Sequence, residues 1–197
     1  MPQPPTTTAS APTTREILLE AASELLGTVG YASFSYRDLA EKVGIRTASI
    51  HYHFPSKADL GVALVERLRE LTRERERALT CAHPNVRERL IALCGHIAEH
   101  TCSGQKCCPI NLLQAEFAVL PEPVQKGLNS LVDEKLSILA RWLEEGRNQG
   151  HVRFPGSPAA QARLVWAVIE YGTQLIRSHP DQSFLSITRQ LIDTMSL

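Results

Sequence analysis

A chain of 197 residues has room for one or two small domains and excludes a large multidomain assembly. Twenty-one Lys and Arg balance twenty-one Asp and Glu, so there is no polybasic coat and any grip on a polyanion must be local. Hydrophobic residues at 43% and charged residues at 21% suit a globular chain, and apolar runs such as Val165 to Ile169 are too short to span a bilayer.

Met1 to Thr14 is rich in Pro and Thr and lacks the basic flank and apolar stretch of a signal peptide, so residues 1–12 are expected to form a disordered arm of a cytoplasmic protein. Five cysteines (Cys81, Cys94, Cys102, Cys107, Cys108) form an odd set without a secretion signal. They read as core filler, metal ligands or redox sensors rather than a disulfide framework.

Beyond the arm nearly every segment keeps a helical period and none alternates long enough for a strand, which predicts an all-α fold. The first helix starts at Thr13 or Thr14, where Thr13 and Glu16 have capping-box spacing, buries Leu18, Ala22, Leu25 and Leu26, and ends at Gly30. Ser35 caps a second helix with Asp38 in its first turn, carrying Leu39, Ala40 and Val43 up to a turn at Gly44. A short helix over Thr47 to His53 stops because Pro55 disfavours helical geometry at Phe54. Ser56 then caps a long rod from Lys57 to about Leu79, with Leu60, Leu64, Leu68 and Leu71 on one side. Its Glu/Arg run from Glu66 to Arg77 alternates in sign and reads as a solvated face. Further helices are expected at Val86 to Thr101, Pro109 to Val119, Pro123 to Gly146, Pro158 to Ser178 and Ser183 to Met195.

Phe34 to Lys57 has the spacing of a helix-turn-helix. Ala40 allows close helix approach, Gly44 supplies a left-handed turn, and Val43, Ile45 and Ile50 fill the angle between the helices. The stretch Gly44-Ile45-Arg46-Thr47-Ala48-Ser49-Ile50-His51-Tyr52-His53-Phe54-Pro55-Ser56-Lys57 resembles the signature of the TetR family of bacterial transcriptional repressors. The resemblance is specific over Thr13 to Lys57 and implies a three-helix DNA-binding domain at 13–57 and a helical effector-binding and dimerisation domain at 58–197. It further implies that Arg37, Arg46, Thr47, Ala48 and His51 face base edges while Ser35, Ser49, Tyr52, His53 and Lys57 grip phosphates. The chemistry suits those roles, because Arg pairs with guanine through two donors and Ala48 or the Thr47 methyl meets a thymine methyl. His51 departs from the family's usual Tyr. Tyr36 either reaches a phosphate or packs beside Phe34.

Cys94, His96, His100, Cys102, Cys107 and Cys108 crowd one region. Cys107 to Glu116 resembles a stretch of a NemR- and AcuR-like subgroup of the family, in which the cysteine matching Cys108 senses electrophiles or oxidants. A helix start at Pro109 and the charge of Lys106 would favour a Cys108 thiolate, with Cys102 as a resolving thiol and Cys107 where the family has Gly. The same atoms also allow a metal site, with His96 and His100 on one helix face and Cys102, Cys107 or Cys108 completing it. A third reading leaves all these thiols inert, with Cys81 and Cys94 as core residues.

The family resemblance puts the effector cavity among the middle helices, lined by some of Asn111, Gln114, Phe117, Trp142, Trp166 and Tyr171. It also implies a homodimer on a palindromic operator, with no cofactor and no membrane contact. The last two helices would pair with their copies through Leu164, Val168, Leu175, Leu185, Ile192 and Met195. A thiol enzyme built on Cys108 with His96 or His100 is the rival from another class, but no orienting third group or oxyanion hole is recognisable.

Overall fold

The computed structural model describes residues 11–101, 108–179 and 182–195. Among these, α1 (Thr14–Val29), α2 (Tyr36–Val43) and α3 (Thr47–His53) form the N-terminal head. The body comprises α4 (Lys57–Ala82), α5 (Val86–Thr101), α6 (Pro109–Ala115), α7 (Glu122–Asn148), α8 (Pro158–Ser178) and α9 (Phe184–Asp193), with a 3-10 turn at Phe117–Val119. The described residues contain no strand and no helix long and apolar enough to cross a membrane. The expected arm and the thiols Cys102 and Cys107, with Lys106, lie outside the described residues.

Local chemistry sets the head's boundaries. Thr13 with Glu16, Ser35 with Asp38 and Ser56 with Asp59 each form a reciprocal capping box that satisfies free amides at the start of α1, α2 and α4. Gly44 closes α2 in the left-handed region (φ 77°, ψ 32°), and its N–H donates to Ala40 O at 2.9 Å. Leu18, Ala22 and Leu26 of α1 are buried with Phe34, Leu39, Ile50, Phe54 and Leu60, while Leu25 is half-buried.

In the body, α7 packs along α4 and α8, and α9 lies on α5 and α8. The charged run of α4 is not simply a solvated face. Buried Arg69 donates to Glu134 Oε2 (2.8 Å) and Gly127 O (3.2 Å), Arg73 Nε reaches Glu134 Oε1 (2.5 Å), and Arg141 binds Glu76 (2.7 Å), so the run clamps α4 to α7. Arg73 most strongly, and Arg69 with it, hold the Glu134 carboxyl below its usual range. Arg89, 1% exposed, pairs with Glu145 Oε2 at 2.9 Å and stacks over Trp142.

Two expectations for the last helices change. Ile192 and Met195 are buried within the subunit and cannot serve a dimer face, whereas Leu164, Tyr171 and Leu185 are exposed large side chains. Cys81 is exposed, not core, while Cys94 is buried and its thiol is pushed up to about 11 by desolvation.

Candidate DNA-reading head and effector cavity

On the head, α3 stands on buried Ile50, and Arg46, Thr47, Ala48, Ser49, His51 and Tyr52 are exposed. Arg37 is exposed on α2, and half-buried His53 lies edge-on to Tyr52 with ring centroids 5.1 Å apart. The His51 ring packs edge-on against Tyr36, and its Nδ1 is 3.2 Å from Pro55 O. The Ser35 hydroxyl is already used in its cap, donating to Asp38 Oδ2 at 2.7 Å.

The expected phosphate contact Lys57 points inward instead, and so does Tyr36, for which a phosphate contact is one of two expected alternatives. The Lys57 ammonium donates to Phe34 O (2.5 Å) and Ala32 O (3.4 Å) and sits over the Tyr31 and Phe34 rings. It closes the loop between α1 and α2, and desolvation lowers its pKa. The Tyr36 hydroxyl lies 2.9 Å from Phe54 O and 2.6 Å from Ser56 O, pinning the α3–α4 junction. Desolvation pushes Tyr36 up to about 12. Both side chains thus give donors to carbonyls at the turns of the head, Ser56 O also accepting the Leu60 N–H at 3.2 Å.

A cavity of about 170 Å³ opens between α4, α5, α6, α7 and α8. It brings together Cys108, Asn111, Trp142 and Trp166 of the expected sensor set, along with His96 and His100. Asn111 Nδ2 donates to Thr173 Oγ1 at 2.9 Å, fixing α6 to α8. Gln114 and Phe117 belong to a separate shallow cleft with Leu128, Asn129 and Asp133. Tyr171 is 67% exposed on α8 and is not a lining residue.

Cys108 is a half-buried free thiol at the start of α6, whose seven residues make a short dipole. Arg75 and Lys135 lie within electrostatic reach of it. Both line the cavity and both escaped the sequence reading. A signal was present: each interrupts an apolar stripe at helical spacing, Arg75 between Leu68 and Leu79, Lys135 among Leu131, Ile138 and Trp142. Burial pushes Lys135 down to about 8 and lowers Arg75 as well.

His96 and His100 stack at 4.0 Å with a 30° interplanar angle, and the ligand atoms of His96, Glu99 and His100 lie within 4.8 Å of one another. His100 Nδ1 is 2.8 Å from His96 O, so only its other ring nitrogen is open to a ligand. Desolvation lowers the His96 pKa, followed by the charge of Arg75, which favours the neutral ring.

The expected helix from Pro109 to Val119 breaks at Glu116 (φ −93°, ψ 8°), and the chain tightens into the 3-10 turn ahead of Pro121. The break turns the Glu116 carboxylate toward the head, where it accepts the Ala32 N–H at 3.0 Å. It also packs against Gly30 (φ 86°), where any Cβ would collide with Glu116 Oε1. Thus α6 carries Cys108 at one end and a contact to the head at the other. Glu116 closes the stretch from Cys107 that the sequence singles out, but its local sequence does not point to a contact with the head.

Comparisons with known proteins cover most of the chain. Residues 18–64 match the family profile described as bacterial regulatory proteins, tetR family, and residues 86–192 match the tetracyclin repressor-like C-terminal domain. The HTH-type transcriptional repressor NemR of Escherichia coli K12 is 27% identical over 161 residues, covering 79% of each chain. A TetR-family regulator structure from Agrobacterium tumefaciens is 30% identical with a TM-score of 0.86, covering 93% of this chain and 97% of that one. The reduced form of E. coli NemR superposes with a TM-score of 0.79 at 22% identity, a likeness of fold covering 92% and 95% of the two chains.

Proposed function

Because the chain belongs to the TetR family of bacterial transcriptional regulators, we propose that it acts in the cytoplasm as a homodimeric repressor, released from a palindromic operator by an effector at its cavity. It is a regulator and not an enzyme, as are the relatives that it matches. The observation that carries the DNA reading is the exposed set Arg46, Thr47, Ala48 and His51 at α3, while Tyr36 and Lys57 are spent on the head's own turns. Arg37, Ser49, Tyr52 and His53 flank that set, Arg37 at a base edge and the others beside phosphates. A neutral chain gripping DNA through so few groups gains affinity from two heads on two half-sites. Exposed Leu164, Tyr171 and Leu185 supply the apolar face for the second copy.

In this reading Cys108 is the switch. Its half-buried free thiol in the cavity wall, within reach of a small electrophile that enters the cavity, supports this reading, and the relative NemR has been solved in a reduced form. Modification or occupancy shifts α6, and Glu116 passes the shift to the turn between α1 and α2. The compact His96, Glu99 and His100 group supports a second reading, a metal-responsive repressor.

Footprinting of the DNA upstream of its own gene, with and without an alkylating quinone, peroxide or zinc, tests the whole proposal. Arg46→Ala should cost about 1 to 3 kcal/mol at particular bases, and Cys108→Ser should stay bound in the presence of quinone. Footprints of Arg46→Ala that match wild type at every base sink the DNA assignment. Release of Cys108→Ser at the wild-type quinone dose sinks the thiol switch, and release reversed by chelator selects the metal reading.

A further inference from the structure

The cavity wall holds buried polar nitrogens without partners, and this observation refines the effector reading on which it rests. Arg75 Nε and His96 Nε2 are buried in the wall with no hydrogen-bonding partner among the described residues, whereas the Trp166 indole is turned to the Glu170 carboxylate. The Lys135 ammonium makes no hydrogen bond there either and lies 4.4 Å from the centre of the Trp166 ring. Of the nearby carboxylates, Glu76 is held by Arg141, Glu170 faces Lys135, and Glu99 is exposed beside His96 and His100, outside the cavity wall. No carboxylate faces Arg75; the Cys108 thiol is the group set against its charge. With Glu99 in solvent, the buried groups Arg75 and Lys135 against Glu170 leave one positive charge over.

A buried cation without a counter-anion, beside polar nitrogens with nothing to bind, is costly until a ligand brings both charge and acceptors. We propose that the cavity takes a small apolar monocarboxylate, its carboxylate held by Arg75 and His96 and its body enclosed by Leu68, Ile97, Ile138 and Trp142. A single excess charge matches a monoanion better than a phosphate, and the planar guanidinium suits a carboxylate. The volume of about 170 Å³ fits a body of benzene size, since an apolar cavity of about 150 Å³ accommodates benzene.

Both tryptophans of the chain line the cavity, so the intrinsic fluorescence of the full-length protein reports its occupancy directly. Benzoate and hexanoate should perturb the emission saturably, while benzamide, hexanamide and benzylamine should need at least about tenfold higher concentration. Arg75→Met should weaken benzoate by at least about tenfold and leave benzamide unchanged, a pattern that loss of fold does not give. Lys135→Met should weaken benzoate in the same sense, and the analogue series on the unaltered protein decides the matter whether or not either variant folds. The proposal is overturned if neither carboxylate moves the emission, if the amides bind as tightly as the acids, or if a folded Arg75→Met binds benzoate like wild type. Operator release is read separately on the same samples. Alkylation that frees DNA without benzoate binding leaves the effector-release reading standing and removes this one, whereas Arg75-dependent benzoate binding without operator release leaves this one standing and counts against release through the cavity.

Discussion

Replacing Glu116 with Ala removes the carboxylate that ties the end of α6 to the Ala32 amide at 3.0 Å and that stands within electrostatic reach of Lys57. A hydrogen bond to a charged group contributes about 1.5–3 kcal/mol when shielded, and solvent screening at this half-exposed site leaves about 1 kcal/mol. Coupling between two sites cannot exceed the contact energy that differs between the two states, so this loss corresponds to roughly a fivefold change in coupling. The assay is fluorescence anisotropy on an operator duplex selected from a random pool, before and after alkylation by N-ethylmaleimide. The ratio of the two operator affinities should shrink by about fivefold in Glu116→Ala. Gly30→Ala disturbs the same carboxylate from the other side and forces an L side chain to φ 86°, so it should shrink the ratio too. Because the two changes share one contact, the double variant should shrink the ratio no further than the stronger single one. An alkylation ratio in Glu116→Ala equal to wild type would refute α6 as the link.

Tyr36→Phe should lower head stability by about 1 kcal/mol through loss of the hydroxyl at Phe54 O and Ser56 O, and an unshifted thermal midpoint would contradict that role. Leu164→Glu combined with Tyr171→Glu should give folded monomers by sedimentation, whereas Ile192→Asp should unfold the body because its side chain lies in the core; a dimeric Leu164→Glu/Tyr171→Glu variant counts against this face. Burial pushes Lys135 down to about 8 from 10.5, so between those values the unfolded chain holds a proton that the folded chain has released, and stability rises with pH. Cys94, raised from 9.0 to about 11, opposes this above pH 9, and Tyr31 and Tyr36, raised from 10.0 to about 12, oppose it above pH 10. The clear window is therefore pH 8 to 9, where denaturant melts should show a gain of roughly 1 kcal/mol that vanishes in Lys135→Met. A variant with the wild-type slope would show that Lys135 titrates normally.

The sequence by itself determined where most helices begin and end and where the DNA-reading motif lies. Its signals are local: Thr13, Ser35 and Ser56 cap with a partner three residues away, Gly44 takes a left-handed turn that its own residue type permits, and Pro55 stops α3 through its immediate neighbour. The helical period likewise shows which positions share a face, but not what that face meets. Only the tertiary structure decided that Arg69 enters a clamp on α7, that Arg75 and Lys135 turn into a cavity, and that Ile192 and Met195 point into their own subunit. It also turned Lys57 from an expected phosphate contact into a pin of the head, decided between the two alternatives for Tyr36 in favour of the interior, and separated Gln114, Phe117 and Tyr171 from the cavity that Asn111, Trp142 and Trp166 line. The reason is that the partner of a long polar side chain is chosen by whichever unpaired carbonyl or carboxylate the packing of distant helices brings within reach. Glu116 and Ala32 N–H, far apart in the chain and joined across two domains, are such a choice.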